Sequence, residues 1–127
     1  MDLEFGYGNT ASEIANNIMS LVKLGVVGIN IEDSIIVNGT RKLQDSILFA
    51  QLIQDVKNSL IHQNISIFIN VRCDAFLLNI PNALKVASER IKDYEQAGAD
   101  GIFLPCITAE SDISAIGLIT KLPLNVM

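Results

Sequence analysis

The chain has 127 residues, which is enough for one domain with a sizeable buried core. Half of its residues are apolar, 18% are charged, and the net charge is −5. The nine Lys and Arg residues are scattered, which argues against nucleic-acid binding. Polar residues interrupt every apolar run before the roughly 18 residues that a membrane span needs, and the acidic N-terminus does not resemble a signal peptide. We expect a cytoplasmic protein.

Helical spacing of apolar residues and end signals predict four helices. The first begins at the capping box Thr10-Ala11-Ser12-Glu13 and ends before Gly25. The second is expected over about Leu43–His62, with a buried side formed by Ile47, Leu48, Leu52, Val56 and Leu60. The third starts at Pro81 and ends at Gly98, and its buried stripe is Leu84, Ala87, Ile91 and Tyr94. The fourth is expected over Glu110–Thr120.

Strand-like segments precede, separate and follow these helices. They are Asp2–Glu4, Val26–Ile31, Ile65–Val71, Asp100–Leu104 and Pro123–Met127. A longer polar connection, residues 32–42, joins the second strand to the second helix. The alternation predicts a parallel sheet with right-handed crossovers. Two architectures fit this order, an open doubly wound sheet and a (β/α) barrel.

The position of polar residues along the strands favours the barrel. One parity becomes polar toward the C-terminal end of four strands, while the other parity stays apolar. The polar positions are Asp2, Glu4, Asn30, Glu32, Asn70, Arg72 and Asn125. An open sheet covered by helices on both sides needs two apolar faces, whereas a barrel needs helices outside and a polar mouth at the C-terminal strand ends. We therefore predict an α/β fold of parallel TIM-barrel type.

The charges at these strand ends suggest a ligand. Asp2, Glu4 and Glu32 outnumber Arg72 three to one, and uncompensated buried carboxylates are costly. A divalent cation would balance them, while a network of buried salt bridges is the structural alternative. The Gly6-Tyr7-Gly8 turn follows the first strand and would let the backbone approach a bound molecule closely.

Four motifs in order resemble the isocitrate lyase/phosphoenolpyruvate mutase superfamily. They are Asp2–Gly8 (DLEFGYG), Gly28–Asp33 (GINIED), Val71–Ala75 (VRCDA) and Tyr94–Gly101 (YEQAGADG). The resemblance implies a (β/α)8 barrel that forms homo-oligomers and binds Mg²⁺, or Mn²⁺, together with a 2-oxo acid or related carboxylate. It also implies an enzyme, a lyase or mutase that breaks a C–C or P–C bond through a metal-stabilised enolate.

The same resemblance assigns roles to individual residues. Asp2 matches the direct metal ligand, and Glu4 the second acidic position beside the ion. Glu32 matches the catalytic glutamate that acts near the metal, often through water, and we count it with Asp2 and Glu4 as a metal-site residue. Arg72 matches the catalytic arginine that binds the substrate's carboxylate or phosphonate. The turn Gly6-Tyr7-Gly8 is expected to contact substrate.

Two departures from the family pattern limit the inference. The loop Ser34–Lys42 lacks the cysteine that serves as general acid in isocitrate lyase-type members, and Asn38-Gly39-Thr40 matches the gate of the phosphonate enzymes poorly. Decarboxylation, aldol-type cleavage and phosphonate chemistry therefore stay open.

The second departure is length, since a complete barrel needs about 250 residues. We expect residues 1–127 to form a single partial barrel domain, roughly strands 3 to 7, truncated at both ends. The first alternative function is a non-catalytic barrel fragment that self-associates through its open edges. The second is an open α/β regulatory domain with an acidic pocket.

Overall fold

A computed structural model describes all 127 residues. The helices are α1 (Ala11–Lys23), α2 (Ser46–His62), α3 (Ala83–Gln96) and α4 (Glu110–Ile119). The strands are β1 (Gly28–Glu32), β2 (Ser34–Val37), β3 (Thr40–Leu43), β4 (Phe68–Arg72), β5 (Gly101–Leu104) and β6 (Leu124–Val126). None of the four helices is long and apolar enough to cross a bilayer.

The main sheet is parallel and follows the chain. Its order is β1-β4-β5-β6, and Asp2 adds an isolated parallel bridge to Asn30 on the outer side of β1. Each helix contacts the next one along the chain, so the helices form one layer on one face of the sheet. A doubly wound sheet would reverse its order and place helices on both faces. The predicted α/β fold of partial TIM-barrel type is therefore confirmed.

The two faces of the sheet differ as the parity of the strands predicts. The face against the helices is wholly apolar, and its six central side chains are at most 2% exposed: Ile29, Ile31, Ile69, Val71, Ile102 and Leu104. The opposite face carries Asn30 and Asn70, paired in register, and its last layer carries Glu32 opposite Arg72. Burial of the apolar face fixes the register, because a slip of one residue would exchange the faces.

Three helices end through the same left-handed turn. The amide of Val26 donates to Leu21 O (3.1 Å) and the amide of Ala99 donates to Tyr94 O (3.1 Å), across Gly25 (φ +92°) and Gly98 (φ +98°). At the end of α2 an asparagine, Asn64 (φ +55°), takes the glycine's position. At the other end of α1 the predicted capping box of Thr10 and Glu13 is present.

Several predicted boundaries were wrong. The polar connection after Glu32 contains the antiparallel hairpin β2–β3, whose turn residues Asn38 and Gly39 both have positive φ. An Asn-Gly pair is the preferred two-residue hairpin turn. Because β3 extends to Leu43, α2 begins at Ser46 with Asp45 as its cap.

Two further corrections concern helix positions. Ile47 and Leu48 do not face the core, since they are 64% and 72% exposed, and Phe49 and Ile53 fill the buried side instead. The third helix begins at Ala83 rather than Pro81. The first predicted strand is reduced to the Asp2 bridge, because the chain turns immediately after Leu3.

Candidate active site

The C-terminal ends of the first strands bring four predicted site residues to one edge of the sheet. The Asp2 bridge aligns the N-terminal segment with β1, and the amide of Glu32 donates to Glu4 O at 2.8 Å. On the other side of β1, Glu32 lies opposite Arg72 in register. Asp2, Glu4, Glu32 and Arg72 therefore lie on three neighbouring segments at the edge where barrel enzymes place their sites.

Glu32 is buried between two arginines. Its side chain is 2% exposed; Oε2 lies 3.1 Å from Arg72 Nη1, and Oε1 contacts Arg41 Nη1. Arg41 comes from the hairpin strand β3. The count of charges at the strand ends, made from the sequence, did not include it. The expectation that salt bridges could not balance Glu32 was therefore wrong: this carboxylate is paired within the chain, as the structural alternative required.

Arg72 is held from two sides. Its Nε and Nη2 donate to the Asp74 carboxylate at 2.6 and 3.3 Å, and its guanidinium lies 5.9 Å from the centre of the Phe103 ring. Burial lowers the pKa of Arg72, but hydrogen bonding to Asp74 and the charges of Asp74, Glu32 and Asp2 outweigh it and raise the pKa. The side chain is a fixed cation at the sheet edge, 17% exposed.

Asp74 lies between the two arginines, Arg41 and Arg72. It is fully buried, accepts from Ser34 Oγ, and lies 3.7 Å from Arg41 Nη1 in addition to its contacts with Arg72. Its backbone amide donates to Asp33 Oδ1 at 2.9 Å. The loops after β1 and β4 are therefore joined by a continuous set of charged hydrogen bonds.

Asp33 forms a second buried cluster with α3. Its Oδ2 accepts from Tyr94 Oη (2.7 Å) and Arg90 Nη1 (3.1 Å), and Arg90 Nη2 donates to Gln44 O at the base of the hairpin (2.7 Å). Burial raises the pKa of Asp33, and the amide of Asp74, the Tyr94 hydroxyl and Arg90 oppose this shift. The cluster fixes the hairpin and both strand ends to the helical layer.

Cys73 lies on the helix side of the sheet, as its parity predicts. The thiol is fully buried, and burial raises its pKa well above the usual value. A buried thiol of raised pKa is unreactive. Its position therefore suits a packing role.

The glycine turn packs against α1. A Cβ at Gly6 would lie 2.8 Å from Ile14 Cγ1, and one at Gly8 would lie 2.8 Å from Glu13 Cβ. The side chain of Asn17 donates to the carbonyls of Gly6 and Tyr7 at 3.0 and 3.1 Å. Close packing of the turn on the helix therefore accounts for both glycines without a ligand.

Tyr7 is exposed beside the acidic edge. Interaction with the Glu4 carboxylate raises the pKa of the Tyr7 phenol, and partial loss of hydration and the negative charges of Asp2 and Glu32 raise it further. Among the three residues of the predicted substrate-binding turn, Tyr7 offers an accessible side chain.

Asp2 and Glu4 differ from Glu32 in having no cationic partner. Both are exposed, neither forms a salt bridge, and the amide of Glu4 lies 3.4 Å from Asp2 Oδ1. No group of three or more His, Cys, Asp or Glu side chains is arranged to hold a metal ion. Mg²⁺ needs only one or two carboxylates, since it keeps several waters. The donor set of Asp2 and Glu4 fits such an ion, while Glu32 does not fit as a direct ligand because both its oxygens contact guanidinium groups.

A row of amides lines the sheet face below this edge. Asn70 Nδ2 donates to Asn30 Oδ1 (2.9 Å), and Asn125 Nδ2 donates to Asn70 Oδ1 (3.1 Å). Gly101 makes the second contact possible, because a Cβ there would lie 2.8 Å from Asn70 Oδ1. The amides border a shallow cavity of about 290 Å³ together with Phe103.

A larger cavity than this one lies at the other end of the sheet. It has a volume of about 500 Å³ and is lined by the start of β4, including Phe68, and by the ion pair of Lys57 with Asp100 (2.6 Å). Sites of parallel barrels lie at the C-terminal strand ends. We therefore place the candidate site at the carboxylate edge, which has the smaller cavity.

The sequence interpretation missed several residues of the site. Arg41 contacts Glu32 and Asp74 contacts Arg72, Ser34 in turn contacts both Arg41 and Asp74, and Asn17 holds the glycine turn. The Asn38-Gly39 pair was the available signal for Arg41, because a hairpin closed there places β3 beside the strand end that carries Glu32. No comparable local signal marks Asn17.

The chain is similar to known proteins over its whole length. The family model described as phosphoenolpyruvate phosphomutase matches residues 1–127. An oxaloacetate decarboxylase from a Bradyrhizobium species is 32% identical over an alignment of 127 positions, which covers 98% of this chain and 42% of that protein. The chain spans less than half the length of the curated relatives that it matches.

Solved structures share the fold. A protein of Burkholderia cenocepacia J2315, provisionally assigned as a phosphonomutase, has a TM-score of 0.87 and 32% identity over 99% of this chain and 53% of its own. A phosphonopyruvate hydrolase in complex with oxalate and Mg²⁺ has a TM-score of 0.80 and 22% identity over 99% of this chain and 44% of its own. At the latter identity the likeness concerns the fold alone.

Proposed function

This chain belongs to the phosphoenolpyruvate phosphomutase family, and from that premise we propose that it supplies the metal- and carboxylate-binding strands of a Mg²⁺-dependent lyase or mutase. The substrate class is a 2-oxo acid or related carboxylate, and the bond broken is C–C or P–C. Mn²⁺ can replace Mg²⁺ in this proposal, because both are bound by oxygen ligands.

The observation that carries the proposal is the division of charge along one edge of the sheet. Asp2 and Glu4 are exposed carboxylates with no cationic partner, and Arg72 on the other side of β1 is an oriented cation. A divalent ion bound by Asp2 and Glu4 and a substrate carboxylate bound by Arg72 would lie side by side. That pairing suits a 2-oxo acid, whose carbonyl and carboxylate oxygens are adjacent.

In this mechanism Asp2 and Glu4 would hold Mg²⁺, which when bound supplies Lewis-acid stabilisation of enolate charge. Asp74 occupies the Nε–Nη2 edge of Arg72 and so fixes the plane of the guanidinium. The N–H groups of Arg72 that neither Asp74 nor Glu32 occupies bind the substrate carboxylate. Glu32 orients Arg72 and Arg41, since each of its oxygens contacts one of them.

Among the possible reactions we favour decarboxylation. The family's general-acid cysteine is absent from the hairpin, and loss of CO₂ needs no proton donor while the C–C bond breaks. The oxaloacetate decarboxylase relative supports the same choice. Phosphonate chemistry is the second candidate, supported by the structural likeness to the Burkholderia protein.

Calorimetric titration of Mg²⁺ in the presence of oxalate tests the proposal. The wild-type chain should release or absorb heat with a saturable isotherm, and Asp2→Ala should lose it. Asp55→Ala is the matched control, because Asp55 is an exposed carboxylate on α2. Identical isotherms for wild type and Asp2→Ala would contradict the metal assignment.

A second, non-catalytic role is self-association, and it would also supply the proposed homo-oligomer. The observation that favours it is apolar exposure on the open sheet: Val27, Phe68 and Val126 are 80%, 44% and 48% exposed. Light scattering after size exclusion should show a mass above 13.8 kDa that rises with concentration. A monomer at every concentration would count against this role.

A further inference from the structure

Arg41 presents an unused hydrogen-bonding edge beside the candidate site. Its Nη1 is occupied, since it contacts Glu32 Oε1 and donates to Ser34 Oγ at 2.9 Å. Its Nε and Nη2 make no hydrogen bond within the chain, and the side chain is 31% exposed. Three N–H donors of this guanidinium are therefore open to solvent.

The open edge is already oriented. Nη1 is held by two hydrogen-bonding partners, and Asp74 Oδ2 lies 3.7 Å away, so rotation of the guanidinium would break these contacts. The hairpin also fixes the backbone of Arg41, because Arg41 pairs with Ile36 across β2–β3. Little side-chain freedom remains to be lost when an anion binds.

Arg41 and Arg72 complement each other around one carboxylate. Each contacts a different oxygen of Glu32, so the two guanidinium groups flank the same buried group. Arg72 uses its Nε–Nη2 edge on Asp74, whereas Arg41 leaves that edge free. The Nε–Nη2 edge is the fork that binds a planar carboxylate or a phosphonate through two parallel hydrogen bonds.

We propose that Arg41 is a specificity-determining residue that binds a second anionic group of the substrate. This inference rests on the proposed function and narrows it: the substrate is a 2-oxo acid with a carboxylate or phosphonate at its far end. Arg72 takes the carboxylate next to the carbonyl, and Arg41 takes the second anion. Simple 2-oxo monocarboxylates bind more weakly.

Calorimetry with three ligands tests the proposal on the Mn²⁺-loaded chain. Pyruvate carries one anionic group, while oxaloacetate and phosphonopyruvate carry a second one of different chemistry. The wild type should bind at least one of the latter two about tenfold more tightly than pyruvate, since a charged hydrogen bond contributes roughly this factor. Arg41→Gln should remove the preference, because the affinity for the ligand with the second anion falls by about tenfold more than the affinity for pyruvate.

Two further variants separate recognition from charge and folding. Lys42→Gln removes the same charge from the opposite face of the hairpin, where Lys42 is exposed, and should keep the preference. Arg41→Lys keeps the charge but lacks the fork, so it should keep only part of the preference. Amide NMR spectra of each variant show whether the hairpin stays folded.

The outcomes separate this inference from the proposed function. An unchanged preference in Arg41→Gln, or a fall in affinity equal for all three ligands, overturns the role of Arg41. A wild type that binds none of them overturns it as well. Mn²⁺ binding that survives Asp2→Ala contradicts the proposed metal site, while an Arg41-dependent preference in the same experiment would still support the anion site. Whichever of oxaloacetate and phosphonopyruvate shows the preference identifies the second anion.

Discussion

Substitution of Tyr94 by Phe removes one hydroxyl from the buried cluster behind the candidate site. That hydroxyl donates to Asp33 Oδ2 at 2.7 Å and accepts from Arg90 Nη1 at 3.0 Å. The ring stays, and with it the edge-to-face contact with Phe49 at 5.3 Å. The change therefore isolates two charged hydrogen bonds with little loss of packing.

The expected loss of stability depends on the contacts that Asp33 and Arg90 keep in the variant. Asp33 Oδ2 and Arg90 Nη1 still contact each other at 3.1 Å, so neither is left alone. A hydrogen bond to a charged group contributes about 1.5–3 kcal/mol, and a buried acceptor that loses one is costly. We therefore expect Tyr94→Phe to lower the free energy of unfolding by about 2–4 kcal/mol, a large share of a domain's stability.

Urea unfolding followed by circular dichroism measures this cost. The midpoint should fall while the slope m stays constant, because the surface exposed on unfolding hardly changes. Tyr7→Phe is the matched control: Tyr7 is 58% exposed, and its variant should lie within about 0.5 kcal/mol of wild type. A Tyr94→Phe variant as stable as the Tyr7→Phe variant would refute the view that this cluster holds the strand ends to α3.

Two further predictions concern the sheet and the buried acid. Gly101→Ala should destabilise by about 1–3 kcal/mol in thermal unfolding, because its Cβ would lie 2.8 Å from Asn70 Oδ1. Gly117→Ala, whose Cβ would meet nothing within 4 Å in α4, should instead stabilise by about 0.5–1 kcal/mol, and equal effects of the two changes would argue against crowding at the amide row. The raised pKa of Asp33 means that its contribution to stability is fully present below its unfolded pKa and is lost as pH rises through the folded value. Wild type should therefore lose stability relative to Asp33→Asn in urea titrations as the pH rises above about 4, the usual pKa of an aspartate, and a gap that is constant or changes in the opposite direction would contradict the burial argument.

Parity along the strands was sufficient to predict the layers of this fold. Alternation of apolar and polar residues is a local property of each strand, and the sheet preserves it because one face must be buried. Ile69 and Val71 against Asn70 and Arg72 show the rule in a single strand. The same reasoning located the acidic edge, since parallel strands end on the same side.

Charge pairing could not be predicted in the same way. Arg41 pairs with Glu32 over nine positions in sequence, and Arg90 pairs with Asp33 over 57. The first contact depends on a hairpin for which the Asn38-Gly39 pair was the one local signal, and the second depends on how α3 packs, which no short pattern encodes. Because the prediction counted Arg72 as the only cation, it overstated the unpaired negative charge. Glu32 is paired, and only the exposed carboxylates of Asp2 and Glu4 have no cationic partner.

Burial of α2 was misjudged for a related reason. Ile47 and Leu48 fit the helical spacing of a buried stripe, yet the helix starts three residues later than predicted and turns them to solvent. Leu43 belongs to β3, and Asp45 caps the helix that begins at Ser46. The missed hairpin therefore moved the start of α2 so that Ile47 and Leu48 lie in its first turn, while its later core residues Val56 and Leu60 were predicted correctly.

The central claim is that a divalent ion binds where Asp2 and Glu4 meet the end of β1. Paramagnetic broadening of backbone amide resonances by substoichiometric Mn²⁺, with oxalate present, tests it most directly. The account predicts that broadening is strongest over residues 2–8, 32–34 and 72–74, and that the opposite end of the sheet near Gly25 and Gly98 is spared. Broadening centred at that opposite end, or the same pattern in Asp2→Ala, would contradict it.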